Sequence, residues 1–366
     1  MKALGNSAPI SSRQARLRSI LGAKKLDYLL VTHLPNLSYL TGFRGSAGAG
    51  LFGRNTTVLF VDPRYTLQAK NQAQGVEVCE AKKRLLTVVA EWLRKNSARE
   101  VGCEDGNLTY SAWGALQEAL GRHCRLRPAS GHVEGLRMAK DAYELNLIRQ
   151  AGKITSEVFE EVRKLAIPGA CEADLAAEIE YRLKRKGAEG VAFESIVASG
   201  PKSALPHARP SSKLLKKNEF VIFDLGAIIS GYAADMTRTV FLGKPDARAR
   251  RIYQAVLFAQ EAAIEAATVK TRAGTVDAAA RRVLARKGLA GYFTHSTGHG
   301  VGLEIHERPR LGRGEAQRLE AGFVVTVEPG VYLEGFGGVR IEDTLAIGKA
   351  GPEILTPSRK DNWFIA

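Results

Sequence analysis

Residues 223–239 read FDLGAIISGYAADMTRT. Two largely apolar runs flank a turn containing Ser230-Gly231, the pattern of a β-hairpin. Asp224 and Asp235 stand equidistant from the Ile229–Ser230 bond. A hairpin centred there makes the two aspartates direct cross-strand neighbours, with Cβ atoms about 5 Å apart. The construction recurs at residues 325–343, VTVEPGVYLEGFGGVRIED. Glu328 and Glu342 are equidistant from Gly335, so a hairpin centred on that glycine sets the glutamates opposite each other too. Like charges facing each other across a sheet are destabilising, and burying them unpaired costs more. Each pair nevertheless sits in an apolar run, FVIFD or FVVTVE, with no adjacent lysine and only Arg238 and Arg340 as nearby bases. One such pair alone reads as surface acids at strand ends. Two pairs built alike point to divalent cations as the compensating charge.

The histidines support this. Residues 294–309, THSTGHGVGLEIHERP, hold His295, His299 and His306, three of the seven histidines of the chain. His299 lies between Gly298 and Gly300, and glycines let a backbone approach a metal or a substrate closely. One imidazole with four carboxylates suits Mn²⁺, Co²⁺, Fe²⁺ or Zn²⁺, and is oxygen-rich enough to favour Mn²⁺. His207 lies in ALPHARPS, a proline-flanked loop, and loops commonly carry function. Two such metals about 3.5–4 Å apart can hold a bridging hydroxide and polarise a carbonyl. That chemistry hydrolyses an amide beside a free N-terminus.

Outward from these hairpins, the chain divides into two patterns. Residues 1–135 alternate strand-like runs (26–32, 56–62, 100–103) with helical ones (64–74, 85–95, 111–120), which predicts a small α/β domain. RPASGHVEG, residues 127–135, breaks the pattern and sets a boundary. Residues 136–366 open with a long amphipathic helix from Asp141 to Leu165, ended by Pro168-Gly169, and a second helix from Glu172 to Lys186. Strand-like segments follow, with two more helices near 246–269 and 275–287. Helices in blocks beside antiparallel-looking strands predict an α+β domain.

Composition narrows the function classes. The chain has 366 residues, 45% hydrophobic and 25% charged, an ordinary globular composition. No run of 18 apolar residues is present, so no membrane span is expected. The first twenty residues lack a continuous apolar core of the secretory type. Cys79, Cys103, Cys124 and Cys171 are scattered and read as reduced cysteines of a cytoplasmic protein. The net charge is +15, with 19 Lys and Arg against 10 Asp and Glu in residues 1–135. The basic residues are dispersed and lack an aromatic strip, so a solvated surface is favoured over a nucleic-acid site.

The residues also carry a family resemblance. The ordered motifs FDLG, ADMTRT, TGHGVGLEIHE, VEPG and RIED resemble the pita-bread metallopeptidases of family M24: methionine aminopeptidase, Xaa-Pro aminopeptidase (aminopeptidase P) and Xaa-Pro dipeptidase (prolidase). The resemblance covers roughly 140–350. LPNLSYLTGFRGSAGAG and VDPRYTLQA look like the N-terminal domain of creatinase and of the proline-directed branch, which methionine aminopeptidases lack. The resemblance implies a C-terminal pita-bread domain and an N-terminal creatinase/prolidase-type domain. It implies two divalent metals, with Asp224 chelating one, Asp235 and Glu342 bridging, and His299 and Glu328 on the other. Glu328 is then also the general base. His207 and His306 contact substrate carbonyls, Arg340 steadies the substrate or the cluster, and His295 orients the ligands. The implied activity is an aminopeptidase that releases the residue before a proline, the GFRGSAG segment leaning that way, with the dipeptidase as alternative. The expected partners are peptides with proline at the second position and a second copy of the chain, with neither membrane nor nucleic acid. A creatinase-like amidinohydrolase, which works without metal, and an inactive pseudo-peptidase are disfavoured, because such relatives lose ligands and all five are present here.

Overall fold

The computed structural model describes residues 9–365. The stretch read for a secretory signal therefore falls partly on residues 1–8, outside the described residues. The chain forms two units that divide between Arg137 and Met138.

The N-terminal unit is a six-stranded sheet of β1 (Tyr28–Val31), β2 (Ala49–Gly53), β3 (Thr57–Val61), β4 (Glu77–Glu80), β5 (Glu100–Cys103) and β6 (Arg125–Pro128), in the order β4-β3-β2-β1-β5-β6. The β3–β4, β1–β5 and β5–β6 pairs are parallel, whereas β1–β2 and β2–β3 are antiparallel. Its helices are α1 (Ile10–Lys24), α2 (Leu34–Thr41), α3 (Thr66–Gln72), α4 (Leu85–Lys95), α5 (Tyr110–Leu120) and α6 (His132–Arg137). Val89, Ala90 and Leu93 of α4 bury one face against Leu30, Leu51, Phe60 and Val101 of the sheet. The segment 127–135, read as the boundary, holds the end of β6, a short turn and the first part of α6, and the units divide just beyond it.

The C-terminal unit begins with α7 (Ala142–Val162) and α8 (Glu172–Arg185). Asp141 caps α7 in a capping box: its side chain accepts from the Glu144 N–H, and Glu144 reaches back to the Asp141 N–H. The strands β7 (Gly190–Val191), β8 (Ile196–Ser199), β9 (Phe220–Leu225), β10 (Ala227–Ile229), β11 (Tyr232–Ala233) and β12 (Met236–Leu242) follow. Helices α9 (Ala247–Ala266) and α10 (Ala273–Arg286) then precede β13 (Gly298–Gly300), β14 (Glu307–Leu311), β15 (Val324–Val327), β16 (Gly330–Leu333), β17 (Gly337–Arg340), β18 (Asp343–Gly348), β19 (Gly351–Ile354) and β20 (Phe364–Ile365). The main sheets are β20-β12-β9-β8 and β14-β13-β15-β18-β19, with β16-β17 a separate ribbon.

Side-chain alternation decides what lies between these sheets. Val221, Phe223 and Leu225 of β9, and Met236, Val240 and Leu242 of β12, pack with Val158, Phe159, Ile179 and Leu183 of α7 and α8. Successive strand residues point to opposite faces, so Asp224 and Asp235 are turned away from those helices. In the other half, Val325, Val327, Val339, Ile341, Leu345 and Ile347 pack with the apolar faces of α9 and α10. By the same alternation, Glu328, Arg340 and Glu342 point away from that helix pair. Each half thus buries its odd or even positions under two helices and presents carboxylates on its inner face.

The registers differ in an instructive way. In the first hairpin Ile229 faces Tyr232 and Leu225 faces Met236. Ser230 (φ 48°) and Gly231 (φ 83°) are therefore the two turn residues, both left-handed, as a type I′ hairpin requires. Asp224 faces Thr237, not Asp235. The centre lies one residue later than the spacing of the aspartates suggests, so they are diagonal neighbours. A displacement of two residues in pairing keeps both on one face. In the second hairpin Gly330 faces Arg340 and Leu333 faces Gly337 around Gly335, the centre expected. Val327 faces Asp343 in the adjoining ladder. Between the two ladders the strands part: the Glu328 N–H donates to the Thr297 carbonyl (2.7 Å) and the Glu342 N–H to the Thr237 carbonyl (3.0 Å). Those bonds tie each glutamate to the strand segment that carries His299 or Asp235.

Candidate metal centre

Asp235, His299 and Glu342 each bring one ligand atom to a common point, all within 4.8 Å of one another. His299 Nε2 lies 3.6 Å from Asp235 Oδ2 and 3.6 Å from Glu328 Oε1. The imidazole is aimed by its other edge: Nδ1 is 3.0 Å from the Gly300 carbonyl, and the backbone N–H donates to Thr326 Oγ1 at 3.1 Å. A nitrogen held to a carbonyl fixes the tautomer and frees Nε2 as a ligand. Gly298 is required because a Cβ there would stand 2.0 Å from the Thr326 carbonyl oxygen.

Asp224 adjoins Asp235, whose carboxyl feels its charge first among the neighbouring charges. Asp224 Oδ2 accepts from Arg340 Nη2 at 2.6 Å, while its buried Oδ1 has no hydrogen-bond partner. Arg340 is 3% exposed and spends its donors four ways, on Asp224, Thr237 Oγ1, Tyr332 OH and the Pro206 carbonyl. Glu342 Oε2 accepts from Thr237 Oγ1 at 2.6 Å. Arg238, the other base beside the cluster in sequence, is committed elsewhere: it forms a buried pair with Asp343 at 2.6 Å.

Among the described residues, one cation thus serves four crowded carboxylates. Burial, then the charges of Asp224 and Glu328, drive the Asp235 carboxyl well above the usual carboxylate range. Burial and the charges of Asp235, Glu328 and Asp224 do the same to Glu342. Glu328 is pushed up to about 8 by burial, against the opposing pull of Arg340. Burial brings His299 down to about 4, so its imidazole is neutral near pH 7. An orphaned carboxylate oxygen, three acids that resist ionisation and a neutral imidazole form a donor set that divalent cations satisfy. The residues fit a metal site.

The pH dependence follows with a definite sign. A carboxyl whose folded pKa lies above its unfolded value destabilises the fold once pH passes the unfolded value. For Glu328 that window runs from 4.5 to about 8, and Asp235 and Glu342 act in the same direction. Bound cations displace those protons. The rise in Tm on adding Mn²⁺ to the chelated protein is therefore expected to widen from pH 5.5 to pH 8. Thermal unfolding with and without EDTA checks this, and a constant increment contradicts it.

The remaining histidines divide. His306 is exposed, with its ring edge-on to His299 at 4.4 Å between centroids. His207 is exposed on the loop whose Pro206 carbonyl Arg340 holds at 3.1 Å. His295 is the inner one: Nε2 is 2.8 Å from Tyr332 OH and Nδ1 is 2.8 Å from the Ser296 carbonyl. Burial lowers its pKa to about 4. Sequence reading missed Tyr332, which links His295 to Arg340, and Thr237, which links Arg340 to Glu342. Strand parity relative to the acids was the available signal for Thr237. Asp277 was also missed. It accepts from the Thr297 N–H and hydroxyl, two residues before His299.

Fold and site together define a metallopeptidase of the pita-bread class. The chain belongs to metallopeptidase family M24, whose model matches residues 146–349, and residues 13–139 match the creatinase/prolidase N-terminal domain. A Xaa-Pro dipeptidase of Pyrococcus horikoshii is 31% identical over 353 residues, 96% of this chain and 99% of that one. Among solved structures, a Xaa-Pro dipeptidase from Bacillus anthracis superposes with a TM-score of 0.94 at 36% identity, covering 97% of this chain and 100% of that one. An X-Pro aminopeptidase from Thermotoga maritima gives 0.89 at 34% identity, covering 96% and 100%. Among the described residues no helix is long and apolar enough to cross a membrane.

Proposed function

We propose that the chain is a two-metal Xaa-Pro dipeptidase, which hydrolyses the bond between a residue and a following C-terminal proline. The observation that carries the reading is the cluster of four inward carboxylates with Arg340 as their one paired cation among the described residues. Four negative charges and one positive are balanced by two divalent cations and one hydroxide. Asp224 would chelate one cation, His299 and Glu328 the other, and Asp235 and Glu342 would be shared. The oxygen-rich set favours Mn²⁺, with Co²⁺ or Zn²⁺ also acceptable.

Held by these residues, two such cations would supply a water of near-neutral pKa and polarisation of the scissile carbonyl. Glu328 accepts the proton of the attacking water on its carboxylate and returns it to the proline nitrogen as the C–N bond breaks. His207 and His306 donate hydrogen bonds to the carbonyl oxygen as negative charge grows on it. Arg340 holds Asp224, and Tyr332 holds both Arg340 and His295. A proline nitrogen offers no hydrogen and a fixed φ, so recognition through side chains suits this bond better than backbone pairing does.

The dipeptidase reading takes precedence over the aminopeptidase expected from the N-terminal motifs, because several near-full-length relatives and solved structures bear the dipeptidase or prolidase name. The likeness to an X-Pro aminopeptidase keeps the second reading in play. Mn²⁺-loaded protein is expected to cleave Xaa-Pro dipeptides about 100-fold faster, in kcat/KM, than Xaa-Pro-Xaa tripeptides, the usual scale of discrimination by a pocket closed to the longer substrate. The reverse ratio favours the aminopeptidase, and no cleavage of either sinks both readings. A homodimer, implied by the family resemblance, is tested by light scattering. A cytoplasmic, reducing location accords with four free cysteines.

A further inference from the structure

The loop that carries His207 is held at both stems by one buried carboxylate far from it in sequence. Glu172, in the first turn of α8, is fully buried. Its Oε1 accepts from the Ser199 N–H and hydroxyl, both at 2.8 Å, where the chain enters the loop. Its Oε2 accepts from Lys202 Nζ at 2.7 Å and from Ser211 Oγ at 2.8 Å, where the chain leaves it. Lys202 Nζ also reaches Ser211 Oγ at 2.7 Å, closing the base of the loop. Burial raises the Glu172 pKa, but the donors from Lys202, Ser199 and Ser211 outweigh it and hold the carboxyl below its ordinary value.

Two features make this more than general packing. A buried charge is costly unless its lone pairs are filled, and nearly all the donors filling these come from the two stems of a single loop. The loop is also tied to the cluster at its crown, through Arg340 Nη1 on the Pro206 carbonyl at 3.1 Å. Ser203 fixes the near side, where its hydroxyl accepts from the Gly338 N–H of β17 at 2.8 Å. Residues 204–210 are therefore carried on stems held by Glu172 and tied at Pro206 to Arg340, with the adjacent His207 exposed. A carboxylate that spans both stems fixes their separation, and hence the height and tilt of the crown.

We propose that Glu172 is a positioning residue for the peptidase reaction: by clamping both stems of the 199–213 loop it sets where His207 meets the substrate carbonyl. This rests on the substrate role given to His207 above. Positioning of a contact group is worth about 10- to 100-fold in rate per ångström of misplacement.

The test is a double-substitution cycle in the full-length, Mn²⁺-loaded protein, with Glu172→Gln, His207→Ala and the pair. Glu172→Gln is expected to lower kcat/KM on an Xaa-Pro dipeptide about tenfold, mostly in kcat, and to add nothing in the His207→Ala background. Mn²⁺ affinity, read by calorimetry, is expected to stay within a factor of two of the parent. Hydrogen exchange is expected to accelerate in residues 200–213 alone. Full additivity of the two substitutions, or exchange that accelerates equally through α8 and β9, overturns the proposal. Should Glu172→Gln fail to fold, Ser211→Ala removes one stem's hydroxyl and leaves the carboxylate ionised. The same selective loosening of 200–213 is then expected, and its absence overturns the proposal. A parent protein that cleaves no Xaa-Pro peptide refutes the functional reading, while the exchange pattern still decides whether Glu172 clamps the loop.

Discussion

Asp235→Ala is expected to reduce kcat/KM on an Xaa-Pro dipeptide by about 10³-fold or more, with no recovery at millimolar Mn²⁺. Lewis-acid and hydroxide chemistry contribute several kcal/mol to such a transition state, and each 1.36 kcal/mol is a factor of ten. Asp235 is the member of the cluster whose loss removes the most. Its carboxylate lies within ligand range of both His299 and Glu342, and it feels the charges of both Asp224 and Glu328. EDTA treatment of the parent should produce the same loss, but reversibly. The contrast matters: metal restores the chelated parent and does not restore the variant. A variant that regains parental activity when Mn²⁺ is raised would mean that Asp235 is a peripheral acid, and the two-metal reading would fall with it.

Arg340→Met is expected to lower the unfolding free energy of the metal-free protein by about 3–5 kcal/mol, the cost of removing one partner from a buried ion pair. The side chain is enclosed, and its guanidinium meets Asp224 Oδ2 at 2.6 Å. Without it, Asp224 loses the guanidinium that pairs with it, the one cation paired with the cluster among the described residues. Arg340→Lys is expected to recover little, because a single ammonium cannot reach Asp224, Thr237, Tyr332 and Pro206 at once as the planar fork does. Urea unfolding in EDTA measures the loss. Repeating it with Mn²⁺ should show a smaller one, because bound cations take over part of the compensation. Equal stability of the Met variant and the parent in EDTA would show that the carboxylates do not depend on the arginine.

Much of this was visible in the linear chain. Helices with a clean apolar stripe, such as Leu85–Lys95 and Glu172–Arg185, lie where their periodicity puts them. The second hairpin centres on Gly335 as its symmetric spacing suggests. Other elements were not legible. Helix α1 has no coherent apolar face, burying Arg13 and Gln14 beside Leu17 and Leu21. Arg13 donates to the Tyr39 carbonyl and Gln14 to the Leu40 carbonyl, so its polar residues are inside because partners from elsewhere in the chain satisfy them. The first hairpin shifted by a residue because the type I′ turn selects Ser230-Gly231, which equal spacing of the aspartates does not encode. Tyr332 escaped notice because a tyrosine in an apolar strand reads as core until its hydroxyl is seen between His295 and Arg340.

The sequence by itself determined which residue types could form the site and which face of each strand they share. Both follow from local rules, the two-residue alternation of a strand and the charge of a side chain, which hold before any long-range contact forms. Only the tertiary structure decided which carboxylate receives the arginine, which oxygen is left without a partner, and how one glutamate on α8 comes to brace a loop beside the cluster. Those facts depend on contacts between groups separated by tens to more than a hundred residues. Such contacts form only when chain closure is repaid by burial of both helix pairs.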